Sequence, residues 1–233
     1  MTLGRVAVVI PAWNEAGAIG SVIAEVLAQG VGEVLVSDGG STDGTQDIAR
    51  RAGATVIDAG RGYGRACLRG AEAARPECDV IAFMDGDGAD RPDQLPRLAG
   101  PVLEGERDFV IASRTRGVRE PGAMLWHQML AGAVAGRLIG ALYGVRYTDM
   151  CAYRVIGRAA LAGLGMAEMT YGWNVEMQMK AARAGLRILE LPVPSRRRAA
   201  GMSKVAGSLR GTAHASLKIV STFSRVALQQ GRG

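Results

Sequence analysis

Cysteine, histidine and aromatic residues are scarce in this chain. Cys67, Cys78 and Cys151 form an odd, widely spaced set without a Cys-x-x-Cys, and His127 and His214 are the only histidines. That excludes a disulfide framework and argues against a zinc site, and it points to a reducing compartment. Aromatics make up 5% of the residues and are not interleaved with the basic ones, so a base-stacking platform for single-stranded nucleic acid is not expected. No apolar run is long enough to span a membrane. Ala123–Tyr143 comes nearest, but His127, Gln128 and Arg137 break it, and it reads as a largely buried or membrane-facing helix. The N-terminus enters a strand pattern at once, so no secretory signal is expected. Two phosphate loops are missing as well: there is no Gly-x-x-x-x-Gly-Lys, and no Gly-x-Gly-x-x-Gly after the first strand. The turn Gly60-x-Gly-x-Gly64 follows the third strand instead and is by itself a weak signal.

The net charge is +6, and Arg196, Arg197, Arg198, Lys204, Arg210, Lys218 and Arg225 crowd the C-terminal end. An anionic partner is expected, which charge alone leaves open among nucleic acid, a phosphorylated small molecule and an anionic membrane face. At 233 residues the chain fits one α/β domain with a C-terminal appendage.

Hydrophobic periodicity gives the order of elements. Arg5–Ile10 is a β-branched run closed by Pro11, and Ile19, Ile23 and Leu27 then have helical spacing. Next come a strand at Glu33–Ser37, a polar loop at Asp38–Gly44, a helix at Thr45–Ala52, a strand at Ala54–Asp58 and a helix at Arg65–Ala74. Beyond a strand starting at Val80, a helix falls at Leu95–Leu103 and a strand at Phe109–Ala112. The apolar helix, a mixed polar strand or loop at Asp149–Arg154, helices at Ala159–Leu164 and Trp173–Ala184 and a strand at Arg187–Val193 complete the pattern. Such alternation predicts a doubly wound, mostly parallel sheet with right-handed crossovers. Ligands of these sheets sit at the carboxyl ends of strands, where the loops Pro11–Glu15, Asp38–Asp43, Arg61–Arg65 and Asp85–Asp90 converge. In the tail, Ala213, Leu217, Val220, Phe223 and Ala227 form a stripe beside basic residues. This is a basic amphipathic helix that lies on an anionic membrane or packs on protein.

Chemistry concentrates at Val80–Pro92, where an apolar run opens into Asp85-Gly-Asp-Gly-Ala-Asp90. Gly86 and Gly88 permit Asp85 and Asp87 to converge, and carboxylates that close call for a cation. Hard oxygen ligands suit Mg2+ or Mn2+, with an ordinary polar turn as the alternative. An EF-hand is excluded, because Leu95, Pro96 and Arg97 stand where its bidentate Glu belongs. Asn14, Glu15 and Asp38 offer a nucleoside donors and acceptors, or cap helices.

Ile10-Pro-Ala-Trp-Asn-Glu15, Ser37-Asp-Gly-Gly-Ser-Thr-Asp-Gly-Thr45 and Met84-Asp-Gly-Asp87 together resemble the nucleotide-sugar motifs of family 2 glycosyltransferases of the GT-A fold. Asp149-x-x-x-Tyr-Arg154, Tyr171-Gly-Trp-x-x-Glu176 and Arg198-x-x-Gly-x-Ser-Lys204 resemble the subgroup that glycosylates polyprenyl phosphates, the dolichyl-phosphate mannose synthase type. The resemblance covers the chain to about Val226. The expected division is a catalytic domain over residues 1–204, with a nucleotide-sugar half to 115 and an acceptor half from 116, and a C-terminal amphipathic helix and tail over 205–233.

By that resemblance Pro11, Trp13, Asn14, Glu15, Asp38, Gly40, Gly64 and Arg65 line the donor site. Asp85 and Asp87 reach the ribose and an Mg2+ or Mn2+ ion that bridges the diphosphate, with Asp90 as a further candidate ligand. Arg114, Arg154, Arg198, Ser203 and Lys204 meet the diphosphate and the lipid phosphate. Glu176 binds a sugar hydroxyl or organises an arginine, and Asp149 orients Arg154 or the sugar. The implied reaction is inverting hexose transfer from a GDP-mannose or UDP-glucose type donor to a polyprenyl phosphate at the cytoplasmic membrane surface, without nucleic acid. A soluble sugar or phosphorylated acceptor, and a non-enzymatic basic binding module, are the alternatives. Two departures stand out: Ala89 occupies the place of a metal-holding Gln, and Tyr63 that of a Lys.

Overall fold

The computed structural model describes residues 2–199 and 209–228. Its strands are β1 (Val6–Ala12), β2 (Glu33–Asp38), β3 (Thr55–Asp58), β4 (Val80–Phe83), β5 (Phe109–Ser113), β6 (Arg154–Gly157) and β7 (Ile188–Pro192). The helices are α1 (Ile19–Leu27), α2 (Thr45–Arg51), α3 (Tyr63–Ala73), α4 (Leu95–Leu103), α5 (Trp126–Tyr143), α6 (Arg158–Gly163), α7 (Trp173–Arg183) and α8 (Leu209–Leu228).

The sheet order is β3-β2-β1-β4-β6-β5-β7. All neighbouring pairs are parallel except those of β6, which runs antiparallel between β4 and β5. The expected mostly parallel, doubly wound α/β architecture is what forms. Registers of Ala12 with Asp38, Asp38 with Asp58, and Ser113 with Pro192 align the carboxyl ends along one edge. Because β6 is reversed, its first residue, Arg154, lies beside Phe83 and Ile111 at that same edge.

Strands β1, β4 and β5 are buried on both faces, which explains why they read as continuous apolar runs. Phe83 and Trp173 meet edge to face with ring centroids 6.2 Å apart, tying β4 to α7. On α1 the buried stripe is Ile19, Val22, Ile23 and Val26. Leu27 is 39% exposed and only borders it, because a 3.6-residue period carries position 27 past the contact line. Helix α3 begins at Tyr63, inside the expected turn.

Helix α5 has two unlike faces. Gly132, Gly136 and Ile139 are buried, and a Cβ at Gly136 would stand 1.9 Å from the Tyr147 carbonyl, so only glycine permits this close approach. Opposite them, Trp126, Leu130, Val134, Leu138 and Leu142 stand at four-residue spacing with exposures of 72, 56, 47, 48 and 41%. Helix α8 packs on α7, burying Thr222 and Val226 and leaving Leu217, Val220 and Leu228 exposed. The apolar stripe expected there is therefore divided: Phe223 and Ala227 pack half-buried against the core while Leu217 and Val220 face out. No helix among the described residues is long and apolar enough to cross a membrane.

Candidate active site

Two loops from β1 and β2 are laced together. The Asn14 amide donates to Ser41 Oγ at 2.8 Å, Asn14 Oδ1 accepts the Thr42 amide at 2.9 Å, and the Glu15 amide donates to Thr45 Oγ1 at 2.9 Å. Asn14 takes a left-handed backbone, φ 53°, which its short amide side chain tolerates. Asp38 is fully buried, and its Oδ2 accepts the amides of Gly40 and Ser41, both at 2.8 Å, and Gln46 Nε2 at 2.7 Å. Burial alone would raise its pKa, but hydrogen bonds from Ser41, Gln46 and Gly40 outweigh it and hold the carboxyl below its ordinary value. Asp38 thus shapes its own turn. Beside it the Arg61 guanidinium lies 3.7 Å from the Trp13 ring centroid, a cation–π contact at the mouth of the crevice.

The glycine turn contributes differently from a phosphate loop. The amides of Gly64 and Arg65 donate to the carbonyls of Thr170 and Met169 at 3.3 and 3.0 Å, so neither points at the crevice.

After β4 the acidic loop folds on itself. Asp90 Oδ2 accepts the Asp85 amide at 3.0 Å and Asp87 Oδ1 the Ala89 amide at 2.8 Å. Asp87 and Asp90 are 3 and 8% exposed. Burial, reinforced by neighbouring carboxylates, pushes the Asp85 and Asp90 carboxyls up. Segment 195–199 crosses this loop as a strap. Arg196 Nε donates to the Gly88 carbonyl at 2.6 Å, and its Nη2 meets Glu25 at 2.8 Å. The Ala199 amide donates to the Asp87 carbonyl at 2.9 Å, and Arg198 Nη2 lies 2.7 Å from Asp87 Oδ2.

Arg114, just past β5, forks onto Asp149 with Nε and Nη2 each at 2.9 Å, while its amide donates to the same carboxylate at 3.0 Å. Asp149 therefore orients Arg114. Glu190 supports the pair from behind by accepting the amides of Thr148 and Asp149 at 2.9 and 3.2 Å.

Arg154 is wholly buried, donating to the carbonyls of Cys151 and Asn174. Its guanidinium lends positive potential beneath the crevice without reaching into it. Glu176, too, is fully buried: Oε2 accepts the amides of Ala167 and Glu168 at 3.0 and 2.7 Å, and Oε1 meets Lys180 at 3.1 Å and Arg225 at 3.3 Å. It organises an arginine and a turn. Ser203 and Lys204 lie outside the described residues.

Glu168 and Glu190 also shape the site, though nothing in the sequence singled them out, and Arg61 and Arg196 were marked only as a loop end and as part of a basic cluster. The Arg196–Arg198 cluster was the one usable signal, and its partners Glu25 and Asp87 lie over a hundred residues away.

The donor set fits a hard dication. Among the described residues no three acidic, histidine or cysteine side chains form a closed metal cage. Buried acidic side chains in one loop, with a guanidinium standing at 2.7 Å from Asp87, make an anionic seat that a cation completes. Mg2+ commonly takes one or two protein carboxylates and completes its shell with water and substrate phosphate.

A mostly parallel seven-stranded sheet with its loops gathered on the carboxyl edge, the one after β4 acidic and held by an arginine, is the arrangement of the GT-A fold. Residues 7–161 match the model of Glycosyl transferase family 2, and the chain belongs to that family. It is 32% identical to an undecaprenyl-phosphate mannosyltransferase of Micrococcus luteus, over 90% of each chain. Glycosyltransferase AglJ of Haloferax volcanii is 31% identical over 82% of this chain, which spans 63% of that protein's length. Among solved structures, glucosyl-3-phosphoglycerate synthase from Mycobacterium tuberculosis, in complex with Mn2+, UDP and glucosyl-3-phosphoglycerate, superposes with a TM-score of 0.75 at 25% identity, covering 95% of this chain and 79% of that one.

Proposed function

We propose that this protein is an inverting hexosyltransferase that uses a nucleoside-diphosphate sugar of the GDP-mannose or UDP-glucose type, Mg2+ or Mn2+, and a polyprenyl phosphate acceptor. The observation that carries the acceptor assignment is a cavity of about 350 Å³ lined by Arg119, Arg137 and Arg146 with the hydroxyl residues Thr115 and Thr148. Its threonines neighbour Arg114 and Asp149 in sequence. Met129, Ala133 and Arg137 line it from α5, one residue along from the exposed Leu130, Val134 and Leu138. A phosphate beside an apolar helix face suits a lipid phosphate.

Charge supports a membrane surface. No Asp or Glu occurs between Glu120 and Asp149, and none follows Glu190, so α5 and α8 carry basic side chains and no acidic ones. We place the protein peripherally on the cytoplasmic face.

The acceptor phosphate is an anionic nucleophile at neutral pH, so in-line attack on the anomeric carbon needs positioning more than a general base. Asp85 and Asp87 would hold the cation, which neutralises the departing diphosphate as a Lewis acid. Arg114, locked by Asp149, presents a guanidinium to the phosphates, and Arg198 brings a second from the strap. The Arg61–Trp13 pair borders the nucleoside, and Asp38 keeps the surrounding turn in shape.

The test is incubation of the purified protein with Mg2+ or Mn2+, GDP- and UDP-sugars and a short polyprenyl phosphate, followed by mass spectrometry of the lipid. Glycosylated lipid is expected. Transfer to 3-phosphoglycerate with none to lipid would overturn the acceptor assignment and favour the soluble reaction named for the Mycobacterium tuberculosis neighbour.

A further inference from the structure

The turn at residues 167–170 is gripped from both sides. On one side are side chains from α8: Thr222 Oγ1 donates to Glu168 Oε2 at 3.0 Å, and Arg225 reaches Glu168 at 3.2 Å and Glu176 at 3.3 Å. Glu176 in turn accepts the amides of Ala167 and Glu168. On the other side are the Met169 and Thr170 carbonyls, which accept the Arg65 and Gly64 amides. The fit is tight, since a Cβ at Gly64 would stand 2.1 Å from the Glu168 carbonyl oxygen, and one at Gly62 would stand 2.5 Å from that of Met169. That glycine turn carries Arg61 onto Trp13.

We propose that α8 is a working part of the donor site: Glu168 and Glu176 pass its position through the 167–170 turn to Gly62–Arg65, and so set the Arg61–Trp13 pair. Glu168 and Arg225 are positioning residues in this scheme. The physical basis is the charge balance. Glu176 is wholly buried and Glu168 nearly so, with side-chain exposures of 0 and 12%. Without Arg225 two carboxylates share one turn with Lys180 alone as counter-ion to Glu176. The turn then has reason to shift, and the hydrogen bonds that hold Gly64 and Arg65 shift with it. A helix with exposed apolar residues thereby bears on the Arg61–Trp13 pair, so that seating of α8 tunes nucleotide affinity.

The test uses the full chain with Arg225→Gln and, separately, Thr222→Val, the milder change should the first fail to fold. Hydrogen exchange is followed in segments 60–66 and 167–171, with 19–27 on α1 as the reference. We expect exchange at 60–66 to rise about tenfold in Arg225→Gln while 19–27 is unchanged, the loss of roughly one charge-assisted hydrogen bond from a local opening. Binding of UDP and GDP with Mn2+, by calorimetry, should weaken about five- to tenfold. Unchanged exchange at 60–66 in a folded variant would overturn the proposal, as would a rise shared equally by 19–27. The nucleotide arm rests on the donor site proposed above. If the unaltered protein binds neither UDP nor GDP, that reading fails while the exchange arm still decides the relay.

Discussion

Arg198 stands where a cation belongs, and removing it should make metal binding stronger. Its Nη2 meets Asp87 Oδ2 at 2.7 Å, with the Asp87 side chain 5% and the Arg198 side chain 32% exposed. A unit-charge pair about 4 Å apart at an effective dielectric near 20 interacts by roughly 4 kcal/mol before desolvation. Desolvation and the solvent-facing third of Arg198 reduce this to about 1–2 kcal/mol net, within the range of hydrogen bonds to charged groups. A dication arriving at Asp87 must displace that interaction. Arg198→Ala should therefore tighten Mn2+ binding to the nucleotide-free protein about five- to thirtyfold, measured by calorimetry or by the free-ion electron paramagnetic resonance signal. Arg197→Ala removes the same charge from the same strap, but its side chain donates to the Pro121 carbonyl and not to Asp87, so it should leave the affinity unchanged. Equal Mn2+ affinities for wild type and Arg198→Ala would refute the reasoning, as would equal tightening in both variants.

Asp149→Asn leaves the forked Arg114 without its charge partner; we expect a loss of about 2–4 kcal/mol, or about 5–15 °C in thermal midpoint by calorimetry. Asp108→Asn breaks a similar fork to Arg187 on the surface and should leave the midpoint close to wild type. The Asp85 and Asp90 carboxyls are pushed up to about 8 and about 6, above their unfolded value near 3.8. Folded metal-free protein thus holds protons that the unfolded chain releases. The stability this contributes is fully present below pH 3.8 and is lost as pH rises through 6 and then 8. Metal must displace those protons, so Mn2+ affinity should rise from pH 6 to pH 8, with proton uptake by the buffer detectable by calorimetry. Finally, Leu130→Glu with Leu138→Glu should weaken co-sedimentation with anionic vesicles about tenfold or more, while nucleotide binding is unchanged.

The strand–helix alternation was legible because its buried strands are apolar runs and its loops carry Gly, Asp and Ser, signals that are local. The inserted strand β6 was not. It begins with Arg154, a charged residue in a stretch that reads as a mixed polar strand or loop, and its two terminal nitrogens find the carbonyls of Cys151 and Asn174, the second twenty residues further on. Asp149 and Arg114 could each be singled out, but nothing in their 35-residue separation pairs them. Glu176 could be read as a sugar ligand or as the organiser of an arginine, and what decides for the second is that α7 is buried nearly all round, a property set by what packs on it. Glu168 carries no motif at all, and its importance comes wholly from the two elements that close on its turn.

The antiparallel insertion also fixes how far apart two parts of the candidate site stand. Adjacent strands lie about 4.8 Å apart, so placing β6 between β4 and β5 sets the strands that lead into the acidic loop and into Arg114 about 10 Å from each other. Across that inserted strand Arg114 still acts on the Asp85 and Asp90 carboxylates as a favourable charge, while Arg198 meets Asp87 directly from the strap. The extra strand thus sets where along the sheet edge the acidic loop and the Arg114–Asp149 fork stand, a charge pattern fixed by topology and not by neighbours in sequence.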